Sequence, residues 1–296
     1  MKGVAKRIAS HFQEEDLLSA ATGMCPGCPA ELAARVLFKV LGKNVITFRT
    51  PGCQPIFMTR LAGIPCLMTN IASSMTGARR YLHKIGRDDV TCVAFVGDGA
   101  TADVGFQPLS AAAARGEQLL YICNDNEAYM NTGVQSSSAT PQGSWTSTTW
   151  VGDSNRGKGS EVKYMPLIML MHGVSYVATA TMGYYEDYVL KIEKAKEAVK
   201  HGMAYIHLHT PCSIGWRAPQ EKSIEMSRLA VQTNYFPLWE AEEGQLKFTK
   251  RVKKPKSLNE LLKLQKRFSH INDEELGRLK QTIDKRMALL ENLAVE

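Results

Sequence analysis

A chain of 296 residues, 44% apolar and 22% charged, has the balance of an ordinary globular protein and can bury one substantial core with a small appendage. Its longest apolar stretch, residues 165–171, falls well short of the roughly 20 residues a bilayer requires. Residues 1–20 mix Lys, Arg, Glu and Asp where a signal peptide would carry an apolar core, so a cytoplasmic protein is expected. The net charge of +7 owes much to residues 250–256 and 263–267 and lacks the aromatic interleaving of a nucleic-acid site. It reads as a solvated face or as a surface that steers a small acidic electron carrier.

Along the chain, the first signal is Cys25-x-x-Cys28 in a glycine- and proline-containing loop, with Glu31 placed for the first turn of a helix. Cys53 follows in the turn-rich Thr50-Pro-Gly-Cys-Gln54, and Cys66 lies in an apolar segment. Residues 90–96 are short, apolar and rich in β-branched types, as in a buried parallel strand, and they run into Gly97-Asp98-Gly99. A run of Ala and Leu over 105–116 suits a helix, and 118–123 reads as the next strand, ending in Asn124-Asp125-Asn126. Cys92 and Cys123 fall inside these strands and, together with Cys66, read as core.

Residues 136–163 are dense in Ser, Thr, Gly and Trp, a loop long enough to be a cover over a site or a binding segment. Beyond it, 165–171, 175–182, 188–201 and 204–208 continue the helix and strand alternation. His172 reads as a capping or core residue. His207 and His209 alternate on one strand face and read as packing and hydrogen-bonding groups. Cys212 and Trp216 come just after that strand. From about Leu238 the pattern changes to a hairpin over 240–252 and two helices over 257–293, broken near 270–273, where Asn272 is placed to cap the second. The expectation is an α/β protein with a doubly wound, mostly parallel sheet over 1–239, and a C-terminal hairpin and helical arm over 240–296.

In a right-handed strand-helix-strand unit both strand ends open on one edge of the sheet, so Asp98 and Asn126, twenty-eight positions apart, converge there. Magnesium takes one or two protein oxygens together with phosphate and water, and Gly97 and Gly99 let main chain approach a phosphate without a Cβ between. Cys25, Cys28, Cys53 and Cys212 make one close pair and two distant singletons. Four thiolates suit zinc or an iron-sulfur cluster, and a lone C-x-x-C also suits a redox dithiol. The uneven spacing favours a cluster gripped between loops.

The GDG and Asn-rich pair resembles the thiamine diphosphate signature, and residues 125–133, DNEAYMNTG, resemble the version in the β subunits of 2-oxoacid:ferredoxin oxidoreductases. The likeness extends through Gln135, Ser138, Ala139-Thr140-Pro141 and Pro211-Cys212. It implies the thiamine diphosphate-binding fold, with Mg²⁺ held by Asp98, Asn126 and the carbonyl of Ala128. Gly97, Gly99 and Thr132 are implied beside the cofactor, and Asn131, the implied catalytic residue, beside its thiazolium and the bound oxoacid. Cys25, Cys28, Cys53 and Cys212 are implied as the ligands of one 4Fe-4S cluster. Glu31 is an implied cofactor contact, although Pro29 stands where the family usually has Gly.

The implied reaction is oxidative decarboxylation of a 2-oxoacid, most simply pyruvate, to acyl-coenzyme A and carbon dioxide, with electrons leaving through the cluster to ferredoxin. Branched-chain oxoacids and oxalate stay open as substrates. A non-redox thiamine-dependent decarboxylase subunit would keep Asp98 and Asn126 and have no use for the four cysteines, whereas a zinc scaffold would leave the metal-diphosphate motif unexplained. No segment here supplies the carboxylate that activates thiamine, which in the resembled family comes from an α subunit. Partner chains are therefore expected: α, γ and a ferredoxin-like δ.

Overall fold

The computed structural model describes residues 2–20, 22–53 and 59–295. In chain order the elements are α1 (Lys2–Gln13), α2 (Pro29–Leu41), β1 (Val45–Arg49), β2 (Ala62–Pro65), α3 (Ile71–Lys84), β3 (Thr91–Gly97), α4 (Phe106–Ala114), β4 (Leu120–Asp125), β5 (Val151–Gly152), β6 (Asn155–Arg156), α5 (Met165–Met171), β7 (Tyr176–Thr181), α6 (Tyr185–Ala198), β8 (Ala204–His209), α7 (Ser223–Gln232), β9 (Leu238–Glu242), β10 (Gln245–Lys250), α8 (Leu258–Leu262) and α9 (Asp273–Leu293). Eight strands form one sheet in the order β10-β9-β7-β8-β4-β3-β1-β2, parallel from β7 to β2. The doubly wound sheet expected from the sequence is therefore present. No helix among the described residues is long and apolar enough to cross a membrane.

Because helices cover both faces, the central strands are continuous apolar runs rather than alternating ones. Val93 and Phe95 of β3 pack into the layer that holds α2 and α6, whereas Cys92, Ala94 and Val96 pack into the layer of α3, α4 and α5. Cys92 and Cys123 are core residues, as expected, whereas Cys66, also expected in the core, is only half-buried because it follows the edge strand β2, which has no neighbouring strand on its outer side. Burying a Val or Phe side chain contributes about 1.5–3 kcal/mol, so these two clusters fix the sheet and its strand ends as a rigid platform.

Two features bear on the site. Gly97 is in register with Asn124, so Asp98 and the residues after Asn124 leave the sheet side by side. Between β3 and α4 the chain makes a π-helical turn, Gly99–Asp103, which delays the α-helix to Phe106; such turns recur where a functional group must be aimed.

The C-terminal hairpin forms β9 and β10, with β9 antiparallel to β7, so residues on both sides of position 239/240 share the main sheet. Asn272 caps α9 as expected: its side chain accepts from Glu275 N–H, and Glu275 reaches back to the Asn272 N–H in a capping box. A third cluster, with Trp216, Leu229, Phe236, Phe268, Leu279 and Ile283, packs α7, α8 and α9 against the carboxyl-end side of the molecule.

Candidate functional site

A cleft of about 380 Å³ opens at the carboxyl ends of β3 and β4. Gly97, Asp98, Gly99, Asn126, Ala128, Asn131 and Thr132 all line it, together with Cys53 of the turn after β1. The structure thus brings together every residue expected at the diphosphate and thiazolium ends except Glu31. That residue instead pairs with Arg35 one helical turn on, at 2.8 Å, and Arg35 also binds Asp16 at 2.6 Å. Glu31 is bound to this ion-pair cluster and does not line the cleft.

Asp98 is 1% exposed and accepts from the Ser137 hydroxyl at 2.5 Å. Burial, reinforced by the nearby charge of Asp125 and opposed by Ser137, pushes its carboxyl well above the usual range. In the orientation that satisfies it, the Asn126 amide nitrogen donates to the Ala128 carbonyl at 2.8 Å and to Asp98 Oδ1 at 3.2 Å, so the three groups meet at one point. Turned over, the amide would present its oxygen there beside a carboxylate and a carbonyl, a donor set whose chemistry fits a hard divalent cation.

The loop over 136–163, read from the sequence as a cover or a binding segment, packs partly against the site. Ser137, Thr140 and Lys158 are buried, and the Lys158 ammonium donates to the carbonyls of Ser137 at 3.0 Å and Thr140 at 2.6 Å. Thr140 in turn donates to the Glu127 carbonyl at 2.6 Å. Sequence reading assigned no role to Lys158, because a lysine in a polar loop carries no local sign that it will be buried. Tyr129 packs over Gly99 so closely that a Cβ there would lie 2.2 Å from its ring, and its hydroxyl donates to Asp103 at 3.1 Å. Gly99 is required for that approach.

His207 and His209 are buried groups on the strand, as expected. His207 joins Asp125 at 2.8 Å to the Tyr205 hydroxyl at 2.7 Å, which holds the strand end next to Asn126. Glu127, with φ of 67°, stands in the left-handed region between the two residues expected as ligands. Its carboxylate receives the Tyr235 hydroxyl at 2.8 Å and the Arg267 guanidinium, with His209 3.3 Å away. Burial pushes this carboxyl up, but Arg267 and His209 prevail and hold it at about 2.

A carboxyl held that low, against 4.5 ordinarily, contributes stability in full above about pH 4.5 and loses it as the pH falls toward 2. Glu127→Gln leaves Arg267 buried without its counter-charge and should lower unfolding stability by about 3 kcal/mol at neutral pH. The gap between parent and variant should shrink as acid protonates the parent. Urea unfolding at pH 7 and pH 3 measures this, and a gap of constant size would refute the assignment.

The four candidate cysteines lie in one neighbourhood. Like-charge repulsion from Cys212 and Cys25 acts on Cys28, and from Cys212, Cys28 and Cys25 on Cys53. Burial is the larger cause and pushes the Cys28 thiol up to about 11 and that of Cys53 to about 12. Backbone N–H groups point at the sulfurs: those of Ala30 and Glu31 at Cys28, where α2 begins, and that of Gly215 at Cys212 Sγ, at 3.3 Å. Among the described residues no three His, Cys, Asp or Glu side chains stand close enough to hold one ion, so the sulfurs are neighbours and not a closed tetrad. Trp216 is fully buried and donates to the Asn126 carbonyl at 3.0 Å, which links the Cys212 turn to the cleft.

The family model for the thiamine pyrophosphate enzyme C-terminal TPP binding domain matches residues 53–208. The chain is 44% identical over 278 residues to the pyruvate synthase subunit PorB of Methanothermobacter thermautotrophicus, covering 92% of this chain and 96% of that protein. It is 38% identical over 307 residues to the ketoisovalerate oxidoreductase subunit VorB of Pyrococcus furiosus, covering 99% and 97%. Among solved structures, a 2-oxoglutarate:ferredoxin oxidoreductase from Magnetococcus marinus shares the fold with a TM-score of 0.57 at 22% identity, over 72% of this chain and 79% of that one.

Proposed function

Because this chain belongs to the thiamine pyrophosphate enzymes, and among them to the β subunits of 2-oxoacid:ferredoxin oxidoreductases of the pyruvate type, we propose that its cleft binds Mg²⁺–thiamine diphosphate beside a 4Fe-4S cluster and serves the oxidative decarboxylation of pyruvate. One observation carries the reading: the cleft in which Asp98, Asn126 and the Ala128 carbonyl converge also has Cys53, one of the four neighbouring thiols, in its wall. When bound, the coenzyme supplies the ring on which a 2-oxoacid loses carbon dioxide, and the cluster supplies a one-electron outlet.

The residues of this chain bind and orient. The three oxygens hold the metal, and through it the diphosphate. Gly97 and Gly99 keep side chains out of the phosphate's way. Asn131 and Thr132 stand exposed at the cleft, where Asn131 is the polar group assigned to the oxoacid. Backbone N–H groups aimed at Cys28 and Cys212 would stabilise thiolate charge on a cluster held there.

Asp98 is the one carboxylate among the described lining residues of the cleft, and it is committed to the metal. The carboxylate that activates the aminopyrimidine is therefore assigned to a partner α chain, in an assembly that also includes γ and ferredoxin-like δ chains. Next to the cleft residue Met68, Leu67 is 64% exposed and Ile64 of the edge strand β2 is 39% exposed. Apolar surface on an open sheet edge suits a permanent partner.

The test is an activity panel on the protein purified without oxygen, together with its co-purifying chains. Reduction of ferredoxin should depend on both pyruvate and coenzyme A, with pyruvate favoured over 2-oxoisovalerate and 2-oxoglutarate. Release of carbon dioxide with neither coenzyme A dependence nor acceptor reduction would establish the non-redox decarboxylase instead.

A further inference from the structure

We propose that Arg267, from the C-terminal segment between α8 and α9, is a positioning residue for the metal-diphosphate site, setting the conformation of the Asn126–Glu127–Ala128 turn from behind. The inference rests on the cofactor reading above and extends it to a residue well outside the strands and loops that carry the motif.

Arg267 is 2% exposed, and its guanidinium is engaged at Nε, at one terminal nitrogen and over the Trp216 ring. One terminal nitrogen donates to Glu127 Oε2, and Nε donates to Gln265 at 2.8 Å. The guanidinium plane lies 3.8 Å from the centre of the Trp216 ring, whose Nε1–H donates to the Asn126 carbonyl. Arg267 therefore reaches the metal turn by two routes. It holds the Glu127 side chain directly, and it holds the carbonyl of Asn126 through Trp216. Its own backbone is fixed between two loops of the site, its N–H donating to the Trp216 carbonyl at 3.3 Å and its carbonyl accepting from Trp145 at 3.0 Å.

The turn needs such support. Glu127 lies at a positive φ that a β-carbon disfavours, with a cost on the order of 1 kcal/mol or more. The residues on either side of it must present an amide and a carbonyl oxygen to the same point. A flexible turn would present them only part of the time, and affinity falls in proportion to the fraction of time the binding geometry is lost. Arg is suited to this place because a planar, always charged fork can stack on an indole and donate to a carboxylate at once; Lys can do the second but not the first.

The enzyme, purified with its co-purifying chains, is stripped with chelator and titrated calorimetrically with Mg²⁺ and thiamine diphosphate, and urea unfolding is followed in parallel. Arg267→Met should raise the Kd by about 10- to 100-fold, as for other residues that orient metal ligands, and Arg267→Lys should recover part of the loss. The double variant Glu127→Gln with Arg267→Met leaves no buried charge unpaired, so it guards against simple misfolding, and it should still bind weakly. A merely structural arginine would lower the unfolding midpoint and leave the Kd of the folded protein unchanged. Parent-like Kd in the folded double variant would overturn the proposal alone. Failure of the parent to bind the cofactor would overturn the site reading on which it rests.

Discussion

Replacing Asp98 with alanine is expected to abolish magnesium-dependent retention of thiamine diphosphate while leaving the fold, and any cluster on the cysteines, in place. The two parts of this result have one cause. Asp98 is buried beside another acid, Asp125, with a hydroxyl as its donor, so without a cation its charge is destabilising and its carboxyl is pushed up. Removing it should leave the unfolding midpoint of stripped protein unchanged or raise it, as is common where a site is strained for function. With a cation, the same carboxylate becomes one charged member of the ligand set. Losing a buried charge partner of this kind costs about 3–5 kcal/mol, roughly two to three and a half orders of magnitude in affinity.

Metal binding must also displace the proton that burial favours on Asp98, so retention should weaken as the solution is acidified. Equilibrium dialysis of parent and Asp98→Ala with labelled cofactor, at several pH values, measures retention and its pH dependence, and thermal unfolding of the stripped proteins measures the midpoint. Equal cofactor content in the two proteins would refute the ligand assignment. A large drop in unfolding midpoint would refute the electrostatic account of the stripped site.

The second large effect concerns the cysteines. Protein purified anaerobically should be brown, with a broad absorbance near roughly 400 nm and iron and sulfide in cluster proportion. Cys212→Ser or Cys28→Ser should bleach that band, because each removes a sulfur that backbone N–H groups are already arranged to stabilise as a thiolate. Burial makes both thiols reluctant to ionise on their own, so a multiply charged iron centre is what would offset the cost of gathering four of them. Cys66→Ser is the control, since Cys66 does not line the cleft and feels none of the four candidate sulfurs. Colourless protein loaded with zinc would end the redox reading and leave the magnesium site untouched.

The places where sequence reading stopped share a pattern. Asp98, Asn126 and the strands that deliver them were legible because β3 and β4 are local runs whose composition marks both the strand and its end, and parallel pairing then forces the ends together. The Asn272 cap was legible for the same reason: a cap is read over four residues. Lys158, Ser137 and the pair of Glu127 with Arg267 were not legible. Glu127 sits inside the recognised motif, yet its partner lies 140 positions away in a segment whose surplus of Lys and Arg reads as a solvated face. Burial of that one arginine depends on Trp216, Trp145 and Gln265 meeting around it, which no local pattern announces. Glu31 shows the converse. It stands near the right motif, but an available arginine one helical turn on draws it away from the cleft.

From the chain of amino acids alone came the sheet class and the meeting of Asp98 and Asn126 at one sheet edge, because both are encoded in short-range order, while the family resemblance supplied the expectations of a metal-diphosphate site, a four-thiol cluster and a partner's carboxylate. Only the folded molecule could decide which buried charges face one another, that the hairpin completes the main sheet, and that Arg267 of the C-terminal segment reaches Glu127. Those are contacts between remote segments, and their energies are set by desolvation and close approach in three dimensions, which neighbouring positions along a chain do not specify.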